Sequence, residues 1–179
     1  PEAALARADV VAEGGFRTRF VEHAYIEPEA GWARMAGDRL ELAACTQAPH
    51  MDREGLAGIL GWPEDRIRIL PTATGGGFGA KLDMSLQPFL ALAALKTGQP
   101  VRMAYTRTES MQSTTKRHPG VMRARVGATR DGRLCGMTFE GDFDTGAYAS
   151  WGPTVAVRVP VHAAGPYVFD DYAARARGI

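Results

Sequence analysis

Gly75-Gly76-Gly77-Phe78-Gly79 puts four glycines into five consecutive positions, between an alternating strand-like run (Arg66 to Leu70) and an almost wholly apolar helix-like run (Leu86 to Leu95). Glycine costs conformational entropy, so such a cluster implies positive φ or a close approach of backbone N–H groups to a ligand. A loop that opens a helix also directs unpaired N–H groups at its mouth, which favours anions and electron-rich oxygens. Two nucleotide chemistries fail on the flanking residues. Lys81 lies between Ala80 and Leu82, so both the Gly-Lys pair and the Mg²⁺-binding hydroxyl of a phosphate loop are missing. Gly75, Gly77 and Ala80 can be forced onto a dinucleotide fingerprint, but Leu95 to Thr108 offers no Asp or Glu for a ribose hydroxyl. A tight turn with no ligand stays open as the alternative.

The other reactive side chains are scattered. Glu22 and Glu27, on an extended segment, would face opposite sides and read as structural rather than as an acid/base pair. His23 and His118 lack a third ligand at metal-binding spacing and read as hydrogen-bonded structural residues. His50 falls near the start of the first helix, and His162 near Arg158. Arg158 interrupts the apolar segment Val155 to Val161; such an arginine faces a pocket, an ion-pair partner or solvent. Cys45 and Cys135 are too few for an iron–sulfur cluster and read as reduced, buried thiols. Trp32, Trp62 and Trp151 read as core or interface aromatics.

The elements that must position these residues form an α+β chain with mixed strands and two main helices. A strand with a bulge or bend at Gly14-Gly15 is expected within residues 8–20. Trp32 to Met35 and Leu40 to Ala44 form a hairpin around Gly37-Asp38. Leu56, Ile59 and Leu60 mark a short amphipathic helix ending near Gly61. The second helix ends at Gly98 before Pro100, and Val101, Met103 and Tyr105 alternate as a strand. Val121 to Thr129 and Arg133 to Phe139 flank the hairpin turn Asp131-Gly132, Gly165-Pro166 turns again, and a strand begins at Tyr172.

The 179 residues read as one domain, 1–179, without repeat, linker or low-complexity tract. Apolar residues make up 45% and charged residues 23%, enough to bury a core. A net charge of +1 argues against nucleic acid or an anionic membrane as general partners, and no run approaches the ~18 apolar residues of a membrane span. The start, Pro1-Glu2-Ala3-Ala4, lacks the regions of a signal peptide and reads as a fragment or processed chain of a cytoplasmic protein.

Taken with Ala80 and Lys81, the glycine loop closely resembles the Gly-Gly-Gly-Phe-Gly-Gly-Lys signature of the molybdopterin-binding subunit of the xanthine dehydrogenase/aldehyde oxidase family. Other segments agree, in the family's order, from about residue 20 onward. Glu22-His23-Ala24-Tyr25-Ile26-Glu27-Pro28 resembles its Glu-His-x-x-x-Glu segment, and Cys45-Thr46-Gln47 its Ser-Thr-Gln. Lys116-Arg117-His118-Pro119 resembles its Arg-His-Pro, and Asp144-Thr145-Gly146 its Asn/Asp-x-Gly; Arg158 and Tyr167 keep its spacing.

The resemblance implies a piece of a molybdenum hydroxylase, in its first molybdopterin-binding domain. Such enzymes oxidise an aldehyde or N-heterocycle with oxygen from water. Electrons leave through the pterin towards iron–sulfur clusters and FAD on partner domains or subunits. The cofactor, molybdenum-molybdopterin or its cytosine dinucleotide form, does the redox chemistry, and the protein binds and orients it. By resemblance Gly76, Gly77, Phe78 and Gly79 bind the cofactor, with a backbone N–H aimed at a metal-bound oxygen and no side chain to block the approach at Gly77 or Gly79. Leu82 and Arg158 belong to the substrate pocket.

Two positions depart from the pattern. Val21 stands where the family often has a hydrogen-bonding Gln. Leu82 stands where purine-oxidising members have a Glu, which disfavours purines and favours an aldehyde or a less polar heterocycle. The family's catalytic base and most pterin-phosphate contacts come from a second molybdopterin-binding domain downstream, so the isolated chain is expected to be inactive and to hold no stoichiometric molybdenum. A non-catalytic scaffold module that keeps the fold is the competing expectation, favoured by Val21 and Leu82 and opposed by the intact glycine loop.

Overall fold

The computed structural model describes residues 1–179. Along the chain the elements are α1 (Glu2–Ala6), β1 (Val10–Arg17), β2 (Ala30–Ala36), β3 (Arg39–Ala44), α2 (Pro49–Leu60), a 3₁₀ turn (Glu64–Arg66), β4 (Ile67–Pro71), α3 (Gln87–Thr97), β5 (Val101–Ala104), α4 (Arg107–Ser113), β6 (Gly120–Ala128), β7 (Leu134–Phe143), α5 (Gly152–His162) and β8 (Asp171–Gly178). No helix is long and apolar enough to cross a membrane. The chain forms two compact units: Glu22–Lys116, and Pro1–Val21 with Arg117–Ile179.

The Glu22–Lys116 unit is built on the sheet β4-β3-β2-β5. β2 pairs antiparallel with β3 and β5, whereas β3 and β4 run parallel, with Leu40 opposite Ile67 and Ala44 opposite Pro71. A parallel pair needs a crossover, and α2 supplies it. Pro49 sits in its first turn and Gly61 ends it at φ 65°, in the left-handed conformation that glycine adopts freely. Leu56 is buried on the sheet, together with Leu40, Leu42, Ala33 and Ile67.

α3 covers the same core with Leu90, Ala91 and Ala94. Its approach is close: a Cβ on Gly31 of β2 would stand 3.0 Å from the Cδ1 atoms of both Leu86 and Leu90. The helix is apolar all round, leaving Phe89 and Leu92 exposed.

The other unit holds the sheet β1-β6-β7-β8, antiparallel except for the parallel pair β7 and β8. Ala4 and Leu5 of α1 are buried against it beside Cys135 and Gly127. The bulge expected at Gly14-Gly15 does not occur: β1 pairs with β6 in unbroken register from Val10↔Ala128 to Arg17↔Val121. The missing side chain at Gly14 instead leaves room for the Phe16 ring, 3.0 Å from where a Cβ would stand. An irregularity falls at Gly127/Ala128.

The α+β architecture with mixed sheets is as read from the sequence, and α2 and α3 are its two anticipated helices. α1, α4 and the eleven-residue α5 come in addition. α4 carries its own signal, a capping box in which Thr106 and Glu109 each accept from the other's backbone N–H.

Candidate functional site

Parallel pairing of β3 and β4 makes their C-terminal ends emerge side by side, and the N–H of Thr72 bonds the carbonyl of Ala44 at 3.1 Å. Cys45-Thr46-Gln47 therefore leaves the sheet next to Thr72–Gly79. β2 runs antiparallel to β3, with Gly31 opposite Ala44, so the residues that enter β2, Tyr25 to Glu29, arrive at the same end. Three stretches far apart in sequence meet there. Open α/β sheets generally build ligand sites at the carboxyl ends of parallel strands.

Glu27 ties the three together. Its Oε2 accepts the N–H of Gly75 at 2.8 Å, and its Oε1 accepts from Cys45 Sγ at 2.7 Å and from the Lys81 ammonium. Lys81, its side chain 3% exposed, also donates to Cys45 Sγ at 2.9 Å and lies 4.0 Å from the centroid of the Tyr25 ring. A charge so buried requires such company. Burial pushes the Glu27 carboxyl up, but the bonds from Cys45, Lys81 and Gly75 outweigh it and hold the group at about 2. Burial, with Glu27 beside it, raises the Cys45 thiol. This favours the protonated form and low reactivity. Tyr25 bonds the buried Glu29, and burial followed by that hydrogen bond pushes its hydroxyl up to about 12.

Gln47 holds the far side of the loop. Its Oε1 accepts from the N–H of Gly79 at 3.0 Å and of Lys81 at 3.2 Å, and its own N–H bonds the Lys81 carbonyl at 3.0 Å.

These clamps explain the glycines one by one. A Cβ on Gly75 would stand 3.0 Å from Ile26 Cβ and also strike Glu27; one on Gly77 would stand 2.5 Å from Gln47 Cδ. Gly76 and Gly79 have φ of 126° and 97°. The crowding expected at Gly77 thus comes from a neighbouring side chain of the protein, while at Gly79 a Cβ would meet nothing within 4 Å. The loop does not open a helix either, because α3 begins only at Gln87. Its donors belong to the loop itself. Phe78 stands at φ 54° with 61% of its surface exposed, a conformation that costs a non-glycine residue of order 1–3 kcal/mol and clusters at ligand sites. The N–H groups of Gly76, Gly77 and Phe78 make no hydrogen bond within the chain.

The remaining candidates lie as follows. Leu82, half-buried, follows Lys81 in the same unit. Arg158 is on an exposed face of α5 in the other unit, and no ion pair engages it. Glu22 pairs with Lys116 at 2.7 Å. Both cysteines are free thiols, Cys45 half-buried and Cys135 buried. His, Cys, Asp and Glu side chains form no group of three that could hold a metal ion. A groove lined by Arg39, His50, Arg53 and Arg68 lies along β4 and α2, and no loop glycine lines it. The holding roles of Glu27, Gln47 and Lys81 were not evident from the sequence, although an acid, an amide and a lysine in the segments flanking the loop were the available signal.

The α+β scaffold thus presents unpaired backbone donors on a glycine loop clamped from two sides. Over residues 1–179 the sequence matches the molybdopterin cofactor-binding domain family, to which the chain belongs. It is 45% identical over 168 residues to the nicotinate dehydrogenase large molybdopterin subunit of Eubacterium barkeri, a match covering 93% of this chain and 40% of that protein. It is 41% identical over 161 residues to a probable xanthine dehydrogenase subunit of Bacillus subtilis, covering 89% and 22%. Among solved structures, the aldehyde oxidoreductase from Desulfovibrio gigas superposes with a TM-score of 0.90 at 28% identity, covering 99% of this chain and 20% of that one. The chain thus spans less than half the length of these relatives.

The residues fit a molybdopterin group. Unpaired donors at Gly76–Phe78 and open space over Gly79 suit its oxygen-bearing face, and the protein's own thiols and imidazoles need not ligate the metal.

Proposed function

We propose that this chain forms the glycine-loop wall of the cofactor site in a molybdenum hydroxylase acting on an N-heterocycle or an aldehyde. The observation that carries the proposal is the loop itself: Glu27 and Gln47 restrain it from two sides while the N–H groups of Gly76, Gly77 and Phe78 are left without an acceptor. A plain turn has no need of strained, unpaired donors. When bound, the cofactor would supply the two-electron redox chemistry and the activated oxygen.

This chain's own residues bind and orient. Gly76, Gly77 and Phe78 offer donors fixed in place before reaction, so no reorganisation is required at the moment charge develops. Phe78, 61% exposed, offers an apolar ring beside the loop against which a bound group could pack. Leu82 has no polar side-chain atom, so a heterocycle dependent on a hydrogen bond there would be poorly held, and Leu82→Glu should shift preference towards purines. Arg158 is proposed to face substrate from α5. A second molybdopterin-binding domain, together with iron–sulfur and FAD partners, would complete the electron path, and the chain by itself would turn nothing over.

The test is a panel of nicotinate, aromatic aldehydes and xanthine, run on the complete protein with its partner subunits. Turnover of nicotinate or an aldehyde in preference to xanthine is expected. Preference for xanthine would overturn the role given to Leu82, and absence of molybdenum from the complete protein would overturn the whole reading.

A further inference from the structure

Residues 82–86, between the glycine loop and α3, form neither helix nor strand, so no regular backbone pairing sets where Leu82 stands. Side chains anchor the stretch at both ends. Gln47 holds one end through the N–H and the carbonyl of Lys81. At the other end Gln87 turns back: its Oε1 accepts the N–H of Ser85 at 2.8 Å, and its Nε2 donates to Asp52 Oδ2 at 3.2 Å. Gln87 is 3% and Asp52 1% exposed, so this link crosses the interior from α3 to α2. A third contact lies between the two: a Cβ on Gly55 of α2 would stand 2.7 Å from Met84 Cε. An acid in the first turn of a helix ordinarily serves the helix dipole from the surface. Asp52 is buried instead, and its Oδ1 has no partner at all. Such a half-satisfied buried carboxyl is costly to keep, and an apolar residue of similar size would serve the fold as well.

We propose that Asp52 and Gln87 are positioning residues for the substrate pocket: acting through Ser85, they fix the stretch that presents Leu82 and so set how firmly substrate is held. This rests on the pocket role given to Leu82 under the molybdenum hydroxylase reading. The residues act in series. The Ser85 N–H settles which end of the Gln87 amide is oxygen, because an amide accepts only through oxygen and donates only through nitrogen, and Asp52 then holds the nitrogen end. Breaking the link leaves Leu82 to Met84 tethered only by Lys81 and the Met84 packing. The glycine loop itself keeps its clamps, Glu27 and Gln47, so the grip on substrate changes while the loop's donors stay in place.

The test uses the complete protein with its partner subunits, purified from a host that makes the cofactor, and the best substrate of the panel above. Gln87→Met and Asp52→Leu remove the link while filling its space. Asp52→Asn keeps an oxygen for Gln87 and places its amide nitrogen where Oδ1 has no partner. Burial already raises the Asp52 carboxyl above its ordinary value, so an uncharged substitute is well tolerated there. Loss of the hydrogen bond should raise KM about fivefold in Gln87→Met and Asp52→Leu, with kcat per molybdenum within about twofold and Asp52→Asn matching the parent. Leu82→Ala should raise KM in the parent and add little in Gln87→Met. Amide hydrogen exchange without substrate should quicken at Ser85 and not at the central amides of α2 and α3. Parent KM in both disrupting variants overturns the positioning role, as does a raised KM to which Leu82→Ala still adds its full effect. Exchange that quickens uniformly, or variants that lose the fold, makes the link structural and overturns the role too, and a damaged Asp52→Asn overturns the hydrogen-bonded link. A parent that purifies without molybdenum overturns the hydroxylase reading, and a loaded parent indifferent to Leu82→Ala overturns the pocket role of Leu82; either takes this proposal with it. A loaded, Leu82-sensitive parent with undisturbed variants overturns Asp52 and Gln87 alone.

Discussion

Glu27 Oε2 accepts the backbone N–H of Gly75 at 2.8 Å, across 48 positions of sequence, and Glu27 Oε1 at the same time holds the buried Lys81. One carboxylate therefore fixes both ends of the loop it faces. Removing it strands an ammonium whose side chain is 3% exposed. Glu27→Ala should destabilise the protein by about 3–5 kcal/mol, the usual penalty for breaking a buried pair by deleting one partner. Lys81→Met should cost much less, because no uncompensated cation is left and the remaining carboxylate, 27% exposed, keeps Gly75 and Cys45. Urea denaturation of both variants checks this, and equal losses would contradict it.

The same carboxyl sets an acid limit. Its value in the folded protein is about 2, against an ordinary 4.5. A depressed carboxyl contributes stability that is fully present above the unfolded value and is lost as pH falls through the folded one. The contribution should therefore be complete above about pH 4.5 and fade between there and about pH 2. In Glu27→Gln that part of the pH–stability curve should flatten. Thermal melts between pH 6 and pH 2.5 make the comparison, and parallel curves would show that other carboxyls govern acid unfolding.

The individual elements around this site were largely legible in the sequence, because each carries a local signal. Gly61 and Gly98 end their helices at φ 65° and 64°, and Gly37 and Gly132 turn their hairpins at φ 65° and 90°. What local pattern does not carry is pairing. Nothing in Arg39–Ala44 or Ile67–Pro71 says that they lie parallel and adjacent, yet that pairing is what brings Cys45-Thr46-Gln47 beside the loop. Likewise Glu27, read in isolation, is one more acid on an extended segment. Only the tertiary arrangement shows it beneath Gly75. The glycines signalled close approach correctly, but a sequence cannot say what approaches: at Gly75 and Gly77 it is the protein's own Glu27 and Gln47.

That distinction can be measured. A Cβ at Gly77 would stand 2.5 Å from Gln47 Cδ, so Gly77→Ala must push the amide away from the N–H groups of Gly79 and Lys81. The cost should be about 1–3 kcal/mol, from two buried or half-buried donors losing their acceptor. In a Gln47→Ala background the obstruction is already gone, and the same substitution should cost little. A double-mutant cycle should therefore show a coupling energy well above the ~0.5 kcal/mol scatter of independent sites. Additivity would mean that Gly77 is glycine for the sake of the ligand instead.

Gly31 tests the scaffold beneath the site. It lies in β2, just after the segment that carries Tyr25, Glu27 and Glu29, and a Cβ there would stand 2.5 Å from the Ala43 carbonyl oxygen and 3.0 Å from Leu86 and Leu90. The first contact is with backbone and cannot rotate away, so β2 must move relative to β3, or α3 must lift. Gly31→Ala should lower stability by about 1–3 kcal/mol through overpacking, although alanine suits a strand better than glycine does by propensity alone. Because β2 delivers Glu27 to the loop, its displacement should also loosen the clamp. Amide hydrogen exchange should accelerate at Gly75 and Gly79, whose N–H groups Glu27 and Gln47 hold. Acceleration at Gly75 beyond that at the helical amides of α2 would tie sheet packing to loop order; uniform acceleration would reduce the effect to global stability.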